Sequence, residues 1–181
     1  MPLLMLKDVP RFECLLRAAE RFPTLDPTAS EAFLHLLHTS DAVFGAKASF
    51  LAEHGLSQGR FSVLMLLSRD RETPSTPAEL ADEAAVTRAT MTGLLDTLEK
   101  DDLVRRETDP ADRRTVLIRL TKKGSALMKT IMPGYFRRVS AVMEPLSHTE
   151  RKQLVRLLRK VHQGLEPADA NRPVERARAN A

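Results

Sequence analysis

From Thr76 onward the chain alternates short polar punctuation with apolar residues at helical spacing. Thr76-Pro77-Ala78-Glu79 places a hydroxyl at an N-cap, proline at the first helical position where no N–H is needed, and a glutamate three residues on that can bond back. The helix it opens is short, because Thr87 is a second cap candidate ahead of Met91, Leu94, Leu95 and Leu98. Those residues recur at i, i+3, i+4 and i+7, one apolar stripe of an amphipathic helix. At about 100° per residue the opposite face carries Ala89, Thr92, Gly93, Asp96 and Lys100, with Arg88 and Thr97 on its flanks. Asp101 and Asp102 tolerate the left-handed conformation of a helix end, less readily than glycine. Two β-branched runs follow, Leu103 to Glu107 and Thr115 to Leu120, the second with Val116, Ile118 and Leu120 on one face. The charged residues between them are too many for a two-residue turn and predict a projecting finger.

The remaining pattern is helical. Phe12, Leu15, Leu16 and Ala19 predict a helix from Pro10 to Arg21, followed by a turn or linker at Thr24 to Pro27. A long helix from Ser30 to Glu53 would carry Phe33, Leu37, Phe44, Ala48 and Leu51 on one side. Ser57 caps the next, with Leu56 and Phe61 as a hydrophobic staple, and Phe61 to Leu67 is apolar enough to be buried on most sides. Arg69 to Pro74 reads as a polar exit. Thr121 caps a helix expected to kink or break at Pro133-Gly134. Ser147-His148-Thr149-Glu150 is a capping box opening a last helix with Leu154, Leu157, Leu158, Val161 and Leu165. Residues 167–181 lack periodicity and predict a disordered tail.

A helix, a tight turn, a second helix and a hairpin together predict a mostly α fold with a small β-hairpin wing, a winged helix-turn-helix at 57–121. The segments 1–56 and 122–166 are assigned to dimerisation, because their apolar stripes exceed what one small wing domain can cover. A second helix of this kind suits the major groove of DNA, about 12 Å wide. The residues placed for contact are Thr87, Arg88, Ala89, Thr90, Thr92, Gly93 and Thr97 on that helix, with Arg113 and Arg114 at the wing tip reaching phosphates or a minor groove.

Charge qualifies this picture. The 181-residue chain carries a net charge of +4, a weak pull toward an anionic partner. From Val86 to Thr121 the bases at 88, 100, 105, 106, 113, 114 and 119 are matched by acids at 96, 99, 101, 102, 107, 109 and 112. Binding then depends on which side each charge faces, and a winged-helix protein-interaction module without DNA binding stays open as an alternative. With 43% hydrophobic and 29% charged residues the chain is globular. No apolar run reaches membrane-spanning length and Pro2 to Leu6 lacks the flanks of a signal peptide, which predicts a cytoplasmic protein. A nucleophile elbow, a phosphate loop and a His-Glu metal motif are all absent, so no enzyme and no cofactor is predicted. His35, His38 and Asp41 have a spacing compatible with a metal, but such triplets on a solvated helix face are common by chance, and no metal site is assigned.

Leu94-Leu95-Asp96-Thr97-Leu98-Glu99-Lys100, then Leu103-Val104, then Asp109-Pro110-Ala111-Asp112-Arg113-Arg114 running into Val116 to Gly124, resemble the multiple-antibiotic-resistance regulator (MarR) family, with the pattern extending from about Ser30 to Leu165. Two positions depart from it: Asp102 stands where members usually have glycine, and Thr97 or Gly93 where a basic residue is frequent. The resemblance implies a homodimeric transcription regulator acting on a palindromic operator, a repressor released by a small aromatic or phenolic anion. The expected ligand crevice lies between the helix from Ser30 and the helix from Phe61, with His38, Phe44, Lys47, Phe61 and Met65 as candidate lining. Some relatives sense peroxides through an N-terminal cysteine. Cys14 is such an alternative, although the expectation for it is a small residue packed inside its helix.

Overall fold

The computed structural model describes residues 8–69 and 74–165, so the expected tail and most of the expected polar exit lie outside the described residues. The described chain forms two compact units, divided between Met132 and Pro133. The first contains α1 (Phe12–Arg21), α2 (Pro27–Ala52), α3 (Gln58–Arg69), α4 (Pro77–Glu83), α5 (Arg88–Lys100), β1 (Val104–Thr108) and β2 (Val116–Leu120). Then come α6 (Lys122–Met143), which begins in the first unit, and α7 (His148–Gln163).

The helix starts follow local chemistry. Thr76 and Glu79 form the reciprocal capping box of α4, Thr87 accepts the Thr90 N–H at 3.1 Å to start α5, and Ser147 with Glu150 caps α7. One start lies earlier than expected. Asp26 accepts the N–H groups of Thr28 at 2.9 Å and Ala29 at 3.1 Å, and Pro27 occupies the first turn, so α2 begins where a linker was expected. An aspartate before a proline supplies both the acceptor and the preset φ of a helix start. Of the kink or break expected at Pro133, the break is corrected: α6 continues through Pro133 and Gly134 to Met143. A proline deletes one donor of the ladder, and the bonds on either side of it suffice to carry the helix on.

Both helices of the helix-turn-helix end the same way. Val86 N–H reaches back to Ala81 O at 3.0 Å with Ala85 at φ 51°, and Leu103 N–H reaches Leu98 O at 2.9 Å with Asp102 at φ 56°. These are Schellman closures in which a non-glycine residue occupies the left-handed position. β1 and β2 pair antiparallel with Val104 opposite Leu120 and Thr108 opposite Val116, and Ile118 N–H adds a bond to Ser75 O at 2.8 Å.

The core sits inside this first unit. Phe61, Val63 and Leu64 of α3, Leu80 and Ala81 of α4, Met91, Leu95 and Leu98 of α5, and Val104 and Ile118 of the hairpin are buried, with Met128 and Ile131 of α6. The α5 stripe is therefore the inward face, as its spacing predicts. Outside it the apolar stripes stay uncovered: Leu16 of α1, Phe33, Val43 and Phe44 of α2, and Val155, Leu157, Leu158 and Val161 of α7 are exposed. Cys14 is exposed too, which corrects the expectation that it packs inside its helix. It lies next to Leu15, the one α1 residue that is buried, and about 100° round the helix from it.

Candidate nucleic-acid interface

With Met91, Leu95 and Leu98 turned inward, α5 presents its other side to solvent. Thr87, Arg88, Ala89, Thr90, Thr92, Gly93 and Thr97 are all exposed there. Hydroxyls on this face are already oriented. Thr92 Oγ1 donates to Arg88 O at 3.0 Å and Thr97 Oγ1 to Leu94 O at 2.8 Å, so both offer lone pairs outward. A Cβ added at Gly93 would meet nothing within 4 Å, which leaves the backbone open to a close approach.

The wing tip is held by its aspartates. Asp109 Oδ1 accepts the Ala111 N–H at 2.8 Å and Asp112 Oδ1 the Arg114 N–H at 3.0 Å, while Thr115 N–H closes on Asp112 O at 2.8 Å. Such side-chain turns fix a loop that would otherwise be floppy. The Arg114 N–H and the Thr115 hydroxyl hold the Asp112 carboxyl below the usual aspartate range. Arg113 and Arg114 are exposed at the tip, and the Arg114 side chain is 94% exposed, 3.5 Å from Asp112 at its nearest.

The even charge tally of this stretch conceals an asymmetry. Arg106 reaches from β1 to Asp96 at 2.6 Å and Glu99 at 2.5 Å. Arg60 of α3 pairs with Asp101 at the end of α5, and Arg105 and Arg119 share Glu107. Asp109 and Asp112 are committed to the tip. Among the described residues Arg88, Lys100 and Arg113 make no ion pair, so most of the acids are engaged and these cations are left available. Sequence does not single out Arg60 and Arg106, and no local signal marks them, because their partners lie 41, 7 and 10 positions away.

The candidate ligand residues are only partly brought together. Lys47 Nζ of α2 lies 5.5 Å from the centre of the Phe61 ring, a cation–π distance, and Gln58 donates to Phe44 O at 3.2 Å. Phe61 is wholly buried, Phe44 is exposed, and His38, Lys47 and Met65 are half-buried. Nine residues at about 100° put His38 half a turn round α2 from Lys47.

A winged helix-turn-helix with an exposed, cation-bearing second helix defines the class: a DNA-binding regulator fold. Comparison with known proteins agrees. The MarR family model matches residues 56–116. The chain is 37% identical over 153 residues to the HTH-type transcriptional repressor YetL of Bacillus subtilis (strain 168), spanning 84% of this chain and 92% of that protein. The protein belongs to the MarR family of transcriptional regulators. The crystal structure of AbsC, a MarR family regulator from Streptomyces coelicolor, shares the fold at TM-score 0.72 and 22% identity, over 78% of this chain and 96% of that one. CouR, a transcriptional repressor bound to a 23-mer DNA duplex, superposes at TM-score 0.63 and 27% identity, over 71% of this chain and 90% of its own. Another structure of CouR, from Rhodococcus jostii RHA1, is bound to p-coumaroyl-CoA. Among the described residues no helix is long and apolar enough to cross a membrane.

Proposed function

We propose that this chain is a homodimeric repressor that grips a palindromic operator with two copies of α5 and the wing, and releases it when a small aromatic or phenolic acid binds between α2 and α3. The observation that carries the DNA half is the outer face of α5, where Thr87, Arg88, Ala89, Thr90, Thr92, Gly93 and Thr97 are exposed while Asp96 and Glu99 are held by Arg106. In this reading Arg88 meets base edges, and Arg113 and Arg114 position the wing on the backbone. Residues 57–121 bind DNA, and 1–56 and 122–166 carry the dimer. The exposed apolar residues of α1 and α2, and separately those of α7, favour a second copy as their cover, since exposed apolar patches on a monomer mark interaction surfaces. Two α5 helices about 34 Å apart would enter successive major grooves, which makes the operator symmetric.

For the effector, the contact of Lys47 with the Phe61 ring favours a planar acid, with the ammonium on its carboxylate and Phe44 and Met65 as walls; His38, half a turn round α2 from Lys47, is left out of this crevice. A duplex enriched from a random pool by the protein itself serves as the operator. Anisotropy should show tight binding that falls linearly in log salt, and sedimentation should give a dimer at micromolar protein. Titrating salicylate and hydroxycinnamates into the complex tests release. A monomer that binds no duplex overturns the first half, and a complex indifferent to all these acids at millimolar concentration overturns the second.

Cys14 favours a second trigger. It is exposed, and Arg17 Nη2 donates to its Sγ at 3.4 Å. Peroxide that releases DNA from the native protein but not from Cys14→Ser would establish it, and equal release from both would exclude it.

A further inference from the structure

The outward face of α5 contains a feature that opposes DNA binding. Asp96 lies one helical turn beyond Thr92, with its side chain 58% exposed, and Glu99 follows three positions on. Residues three apart on a helix are neighbours, so the two carboxylates repel each other and would both repel a phosphate backbone. Arg106 spans them. Its Nη2 meets Asp96 Oδ1 at 2.6 Å, its Nη1 meets Glu99 Oε2 at 2.5 Å, and its backbone N–H donates to Glu99 Oε1 at 3.3 Å. One planar guanidinium forks across two acids, a geometry that a lysine, as a point charge, cannot reproduce. The hydrogen bond to Asp96 pushes the Arg106 guanidinium up from its ordinary value.

We propose that Arg106 is a positioning residue that tunes DNA affinity as a charge mask, cutting the negative charge that α5 shows to phosphates from two to one without itself touching DNA. This rests on the reading of α5 as the DNA-facing helix. An unmasked carboxylate about 7 Å from a phosphate in water weakens binding about threefold for each bound subunit. Added salt screens that repulsion, whereas a lost mechanical brace would weaken binding alike at all salts.

The test titrates native protein and variants onto a labelled mixed-sequence duplex by anisotropy, over about 50 to 200 mM salt, with thermal melts to establish folding. Arg106→Gln is expected to bind about threefold more weakly per subunit at the low-salt end, with the gap closing as salt rises. Asp96→Asn, which keeps Arg106, is expected to bind about threefold tighter per subunit than the native protein. The triple variant Asp96→Asn, Glu99→Gln, Arg106→Gln should bind at least as tightly as native. An Asp96→Asn protein with unchanged or weaker binding overturns the mask, as does a folded triple variant no better than Arg106→Gln. If Arg106→Gln or the triple variant does not fold, Asp96→Asn alone decides. Native protein with no salt-dependent duplex binding sinks the DNA-facing reading of α5 instead.

Discussion

Gly124 stands where α6 passes the end of α5, and replacing it by alanine should loosen that junction. A Cβ at this position would lie 2.0 Å from Leu103 O, 3.0 Å from Leu103 C and 3.3 Å from Leu103 Cα. Carbon and carbonyl oxygen come no closer than about 3.3 Å in comfortable contacts, so more than an ångström of separation is needed. The obstacle is backbone, and it is tied on both sides: Leu103 N–H donates to Leu98 O at 2.9 Å, and Leu103 O accepts the Thr121 N–H at 3.1 Å. Its side chain is buried in the core, which removes the option of swinging outward. Overpacking of this kind costs about 3 kcal/mol at the upper end of its usual range, because neither partner can relax. Losing the Thr121 to Leu103 hydrogen bond adds about 1 kcal/mol. Alanine's better helix propensity returns about 1 kcal/mol. The net expectation for Gly124→Ala is a loss of about 3 kcal/mol, against a total of about 5–15 for an ordinary domain. Urea unfolding measures it directly, and hydrogen exchange should show faster opening at the Leu103 and Thr121 amides. A midpoint equal to or above that of the native protein would refute the argument from backbone contact.

Asp102→Gly should stabilise the protein by about 1 kcal/mol, seen as a higher melting temperature, because the φ of 56° at the end of α5 suits glycine and strains an L-residue. Gly93→Ala should raise stability by up to about 1 kcal/mol in the same assay, since its Cβ meets open space, while weakening duplex binding if the face is a contact surface. Arg88→Ala is expected to cost about 1–3 kcal/mol on the selected operator and much less on mixed-sequence DNA, and Arg114→Ala to weaken both equally; anisotropy on the two duplexes decides. The Thr76 N–H and hydroxyl hold the Glu79 carboxyl below its ordinary value of 4.5. A depressed carboxylate contributes stability that is present above the unfolded value and lost as pH falls through the folded one, so the stability difference between native protein and Glu79→Gln should vanish in acid below that range. A difference that persists unchanged there would contradict it.

Local chemistry makes much of the fold legible. Thr76, Thr87 and Ser147 are readable as caps because a cap is completed within three residues of itself, and the α5 stripe because its period is a property of one helix. The same holds for Asp102, whose left-handed turn follows from where the stripe stops. Asp26-Pro27 is equally local, but the apolar spacing becomes regular only after Ser30, and that spacing favours a linker where the helix in fact starts. The exposed ligand candidate Phe44 and the buried Phe61 show the other side: spacing assigns a face to a helix without saying whether anything covers that face.

Charge balance is where sequence stops. Arg106 with Asp96 and Glu99, and Arg60 with Asp101, join residues that only the packing of α3, α5 and β1 brings together, and a tally of signs along the chain cannot tell an engaged acid from a free one. Gly124 is the same case in steric form, an ordinary helical glycine in sequence whose need for a missing Cβ is set by a carbonyl twenty-one positions earlier. Periodicity, caps and turns are short-range and so were determined by the sequence itself. Which charges remain to meet DNA, and which small residue cannot grow, are long-range facts that the tertiary structure alone decided.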